Sequence, residues 1–182
     1  VVLSNLGSKI SYTNDAANKD YIPANLGIGV AYTKIFDETS KITFGLDINK
    51  LMVPTPPTPI DNSDPDADIK NEALLAEYRN QGVLSSWFKS FGDAGSFGNE
   101  LKEFQLSVGA EYMYNDQFAL RAGYFYEDKT KGNRKYFTVG AGLKYNVIGL
   151  NFSYLVPSGN GVTRNPLSNT LRFGLTFDID KK

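Results

Sequence analysis

Two neighbouring stretches of period two, joined by three residues, constrain this chain more than anything else in it. Residues 104–114 read FQLSVGAEYMY, 115–117 read NDQ and 118–127 read FALRAGYFYE. In the first arm Phe104, Leu106, Val108, Ala110, Tyr112 and Tyr114 alternate with Gln105, Ser107, Gly109, Glu111 and Met113. In the second, Phe118, Leu120, Ala122, Tyr124 and Tyr126 alternate with small or polar residues. A repeat of two places the sets on opposite faces of a β-strand. Pairing Tyr114 with Phe118 keeps both apolar sets on one face and sets Glu111 opposite Arg121 on the other, a favourable charge pair. Each arm has about the 9–11 residues that a tilted strand needs to cross a bilayer.

The pattern recurs. Strands are expected at about 2–12, 24–36, 40–50, 104–114, 118–127, 136–146, 150–156 and 170–179. Their connections alternate between short and long, with a very long one after the third strand. Such alternation fits an outer-membrane β-barrel with short periplasmic turns and long extracellular loops. Phe36, Tyr114, Phe118, Tyr145 and Phe177 fall at the short-turn end of the apolar face, and Tyr12, Tyr126 and Phe137 at the other. Two such girdles suit two membrane interfaces. A soluble barrel or sandwich explains the alternation equally well, its apolar face being the core. It does not explain the unequal loops. Nor does a dry core suit Asp47, Glu111, Arg121, Lys144, Arg172 and Asp178, which share the polar face with many glycines. Those glycines read as strand curvature, or as the lining of a ligand passage.

Composition narrows the function. The chain has 182 residues, no Cys and no His, and 19 Lys+Arg against 20 Asp+Glu. No disulfide, no Cys–His or Ser–His pair and no His-ligated metal can form within it. The balanced charge speaks against nucleic acid as a partner. No cofactor and no catalytic or metal-binding residues are expected. The opening VVLSNLGSKISY already reads as strand, so the chain is expected to be part of a longer protein.

Residues 52–99 interrupt the pattern as an insertion. MVPTPPTPI is proline-rich and extended. Asp64, Asp66 and Asp68 have a calcium-loop spacing but lack the remaining ligand positions, and the expectation is a solvated acidic loop with Asp68 capping a helix over 69–79. Leu84, Trp87, Phe88 and Phe91 follow at i, i+3, i+4 and i+7, one face of a helix. That face is either a lid packed at the barrel mouth or a partner-binding surface. In the last strand Arg172, Gly174, Phe177 and Ile179 have the spacing of a C-terminal barrel-assembly signal.

Several segments resemble the PorV family of type IX secretion outer-membrane proteins: PANLGIGVAYT, TFGLDINKLMVPTPP, SWFKSFGDA, the stretch 101–147 and NPLSNTLRFGLTFDI. The resemblance implies an all-β, transmembrane antiparallel barrel of 14 strands like that of the FadL transporters. This chain would supply the C-terminal eight strands over 1–182, carrying the partly helical extracellular insertion. It implies a non-enzymatic role in the bacterial outer membrane, amid lipopolysaccharide. Its partners would be a Sov/SprA-type translocon, the C-terminal domains of secreted cargo, and an attachment complex containing a PorU-type sortase. Two alternatives remain open: a FadL-like passage for hydrophobic small molecules, and a lipopolysaccharide-modifying, O-deacylase-like role.

Overall fold

In a computed structural model, which describes residues 1–11, 19–61, 63–158 and 169–178, the period-two segments become antiparallel sheet. The elements run β1 (Val2–Ser4), β2 (Asn25–Ile35), β3 (Ser40–Leu51), α1 (Ala67–Asn80), α2 (Val83–Lys89), α3 (Phe97–Leu101), β4 (Phe104–Tyr114), β5 (Phe118–Tyr126), β6 (Lys135–Tyr145), β7 (Ile148–Pro157) and β8 (Leu171–Phe177). The eight strands form one sheet in sequence order, with β1 and β8 at its edges; among the described residues it does not close on itself. Two compact units are distinguished: Val1–Gly27 with Asn49–Glu103, and Ile28–Ile48 with Phe104–Lys182.

Most expected strands appear within two residues of their places, and the exceptions have local causes. The first strand is three residues long, not eleven. Asn5 takes a left-handed backbone with φ 55° just past its end, a conformation that breaks a ladder and that Asn tolerates. Only an isolated bridge between Ile10 and Asp20 follows. Tyr12 and Ile179 lie outside the described residues. The β6–β7 turn is Asn146–Val147, with φ 53° at Asn146, and β7 starts two residues early. The β4–β5 turn likewise uses left-handed Asn115 and Asp116, residue types that accept positive φ at low cost.

The β4–β5 register is Tyr114↔Phe118 and Glu111↔Arg121. β5–β6, β6–β7 and β7–β8 continue it, with Leu120↔Ala141↔Phe152↔Phe173 in one row. At the short-turn end the strands of the second unit are laced together. Asn115 N–H donates to the Thr39 carbonyl (2.6 Å), Lys144 N–H to Gln117 (2.7 Å) and Asp178 N–H to Val147 (2.8 Å). Ion pairs Lys41–Asp116 (2.6 Å) and Lys144–Asp178 (2.9 Å) run beside them.

In this unit the sheet's two faces are unlike. Val30, Phe44, Leu46, Val108, Phe118, Leu120, Val139, Leu150, Phe173 and Leu175 are all exposed. Among its described residues, Ala119 is the apolar side chain that is buried. The polar face is the more enclosed: Thr43, Asp47, Ser107, Glu111, Arg121 and Thr138 line a groove of about 480 Å³ on it. A Cβ at Gly140 would stand 2.9 Å from the Phe152 carbonyl oxygen, closer than a side chain is accommodated, so the tight strand approach there requires glycine.

The apolar face is large enough to call for an apolar cover. Leu120→Arg is expected to cost about 2–4 kcal/mol in a bilayer near its midplane. Thr138→Arg, on the polar face, is expected to cost much less. Urea titration of the lipid-reconstituted protein measures both; equal losses would show that the faces are not inside out.

Candidate partner-binding site

The first unit holds the insertion, and its helices arise from short local patterns. α1 begins at Ala67, two residues before the expected start. Its N-cap is Asp66, without a side-chain capping bond, and Asp68 lies in the first turn. Carboxylates there favour the helix through its dipole instead of by capping. Asp64 accepts from Asp66 N–H (2.9 Å) and pairs with Lys70 (2.5 Å). The hydrogen bond from Lys70 comes first in holding the Asp64 carboxyl below its ordinary range. This is how a solvated acidic turn closes on itself.

The end of α1 is tied to the N-terminal segment. Lys9 Nζ donates to the carbonyls of Arg79 and Gln81, the latter at 2.6 Å. Tyr21 Oη donates to the Tyr78 carbonyl at 2.9 Å, and its ring packs edge-on against Tyr78. An ammonium at a helix C-terminus satisfies carbonyls that have no partner within the helix. Burial lowers the Lys9 pKa and raises that of Tyr21.

Beyond this clamp, α2 carries three of the four expected apolar residues. Leu84 and Phe88 are 67% and 80% exposed, whereas Trp87 is half-buried. Phe91 lies past the helix end at Lys89, and Lys50 Nζ stands 5.3 Å from the centre of its ring. The four thus divide: Leu84 and Phe88 face outward, while Trp87 and Phe91 are partly occupied within the unit. Ser86 and Ser90, both fully buried, turn their hydroxyls back onto the Val83 and Trp87 carbonyls (2.7 Å each) and let α2 pack by its small side.

The strongest polar feature here had no sequence motif. Lys50, at the end of β3, is 1% exposed and pairs with Glu103 (2.5 Å) and Glu100 (3.4 Å). Thr55 donates from its backbone to Asp93 (2.8 Å) and from its hydroxyl to Asp93 (2.9 Å) and Glu103 (3.2 Å); Ala94 N–H donates to Glu100 (2.7 Å). Asp93, Glu100 and Glu103 offer oxygens within 4.8 Å of one another, a spacing that suits a cation. Lys50 supplies that cation from the chain itself. Lys50 lies 50 and 53 positions before Glu100 and Glu103, which is why no short pattern shows the pairing.

In the second unit Arg121 Nε meets Glu111 at 2.5 Å, and Arg121 Nη1 reaches Asn151 at 2.9 Å. Arg172, Gly174 and Phe177 sit on β8 opposite Ser153, Asn151 and Ile148. Glu127, expected within the fifth strand, instead closes the β5–β6 loop: 2% exposed, it takes a two-pronged pair from Arg134 (2.6 Å each) and a bond from Gln105 (2.9 Å). That pair comes first in raising the Arg134 pKa.

The comparisons with known proteins bear on these two units together. Residues 1–58 match the family model described as type IX secretion system protein PorV. That segment is about a third of the chain, and over it the sequence is similar to PorV. The matched family is described as a component of type IX secretion. A search of the curated proteins finds no match. The segment matched by PorV covers β1, β2, β3 and the proline-rich start of the insertion.

Glu127→Ala leaves the Arg134 fork and the Gln105 amide without their shared acceptor. Because Arg134 is half exposed and can turn to water, the expected cost is about 1–2 kcal/mol. It should appear as faster proteolysis at 128–134 with unchanged cleavage elsewhere.

Proposed function

We propose that this chain belongs to the PorV family and is a non-enzymatic outer-membrane component of type IX secretion. In this reading its eight strands are part of a larger transmembrane barrel, 14-stranded and FadL-like. It binds the translocon and the C-terminal domains of secreted cargo on its extracellular side, and passes cargo to the surface attachment complex. The observation that carries the reading is the uncovered apolar face of the sheet, set against an enclosed polar one. A soluble domain would invert this arrangement, and exposed apolar surface of that extent suits lipid. A hydrophobic small molecule in the groove would have to desolvate Asp47, Glu111 and Arg121, which favours a partner-binding role over a passage.

The insertion is the element assigned to partners. Exposed apolar pairs on a well-ordered helix have the character of interface anchors, and Leu84 and Phe88 are the pair that α2 leaves free. Replacing both with Ser should leave the sheet folded, because neither contributes to a strand. Affinity for purified translocon or cargo C-terminal domain, measured on the nanodisc-reconstituted protein, should fall more than tenfold, as expected for anchors of about 2 kcal/mol. Wild-type affinity in the folded double variant would remove α2 from the partner site.

A further inference from the structure

We infer that α3 presents a second contact for a protein partner, through Phe97 and Leu101, and that Lys50 is the positioning residue that holds it. The inference rests on the partner-binding reading of the insertion. Phe97 and Leu101 are 79% and 54% exposed and stand at i and i+4 of one short helix. Five residues do not hold a helix by propensity. This one is fixed from outside: Ser96 caps it by accepting from Asn99 N–H, while Glu100 within it and Glu103 just beyond it are drawn to the buried ammonium of Lys50. The carboxylates occupy the inner side, and the two apolar residues are left facing out. The same three acids have a cation's spacing, so removing Lys50 would set like charges against each other and release the helix.

Charge selects the kind of partner. Residues 52–99 carry seven Asp or Glu against three Lys or Arg, a net of −4. Asp66, Asp68, Glu72 and Glu77 are exposed, and Asp68 and Glu72 repel each other at i, i+4 on α1. An anionic lipid surface would be repelled as well. The surface that fits is an apolar patch on a protein, rimmed by Lys or Arg, whose approach such a field speeds.

The test uses the whole protein in nanodiscs and purified translocon as probe, with the Leu84/Phe88 double variant beside it. Phe97→Ser with Leu101→Ser should weaken binding about tenfold or more, and raising salt should weaken wild-type binding further. Lys50→Met should weaken binding comparably and open 93–103 to protease, while Lys50→Arg, which keeps the cation, should restore both. Urea midpoints of the sheet should not move. Full binding by the Phe97/Leu101 variant, alongside loss in the Leu84/Phe88 variant, would overturn the second contact but leave the partner reading intact. Full binding by both would overturn both. Full binding by a protease-sensitive Lys50→Met protein would overturn the positioning role. Stronger binding at high salt, or a shift of Trp87 fluorescence on adding anionic vesicles with translocon binding unchanged, would overturn the choice of a cationic protein partner.

Discussion

The antiparallel hydrogen-bond ladder is the interaction on which the rest of this structure depends. Each strand residue brings one donor and one acceptor, and in an apolar medium an unpaired group costs several kcal/mol. From β4 to β8 every strand meets its neighbour in an unbroken register. That continuity lets the side chains on one face be wholly apolar without a protein core behind them. Packing contributes little: the buried apolar residues among those described are Ala24, Met52, Ala67 and Ala119. Such a sheet is ordered by its backbone and by its surroundings.

The ladder also determines what the other face can hold. With the apolar side chains gathered on one face, charged residues collect on the groove side, and each is placed by register. Glu111 and Arg121 stand directly opposite, so neither needs a long reach, and Asn151, two strands away in the row of Ala119 and Gly142, accepts from Arg121 Nη1. At Gly140 close approach of the β7 backbone leaves no room for a side chain. Polar pairing and small residues follow from the same geometry that exposes Leu120 and Leu150.

This part of the fold was legible because β-strands write their faces into the sequence at a period of two. The β4–β5 hairpin, its register and its charge pair can be read from residues 104–127 alone. Asn115, Asp116 and Asn146 are residue types suited to left-handed backbone, but the β6–β7 turn falls at Asn146–Val147 and not at the expected 147–149. Where the reading erred, the cause was local. Asn5 ended β1 after three residues, and Asp68 proved to be a first-turn carboxylate instead of a cap. On α2, helical spacing correctly grouped Leu84 and Phe88 but could not show that the helix stops before Phe91, or that Trp87 is half covered. The PorV match over residues 1–58 agrees with the family seen in the sequence, while α2 and α3, which carry Leu84, Phe88, Phe97 and Leu101, lie beyond it.

The insertion could not be read in the same way, because its order comes from long-range charge rather than periodicity. Lys50 meets Glu100 and Glu103 across half a hundred residues, and Lys9 meets the carbonyls of Arg79 and Gln81 across seventy. A hydrophobic core would have drawn Leu84, Phe88, Phe97 and Leu101 inward, since those are among the large apolar side chains available to it. A buried ion cluster does not need them. It is a weak source of net stability but a strong source of uniqueness when every member is paired. Ordering by charge therefore leaves the apolar side chains outside, where another protein can use them.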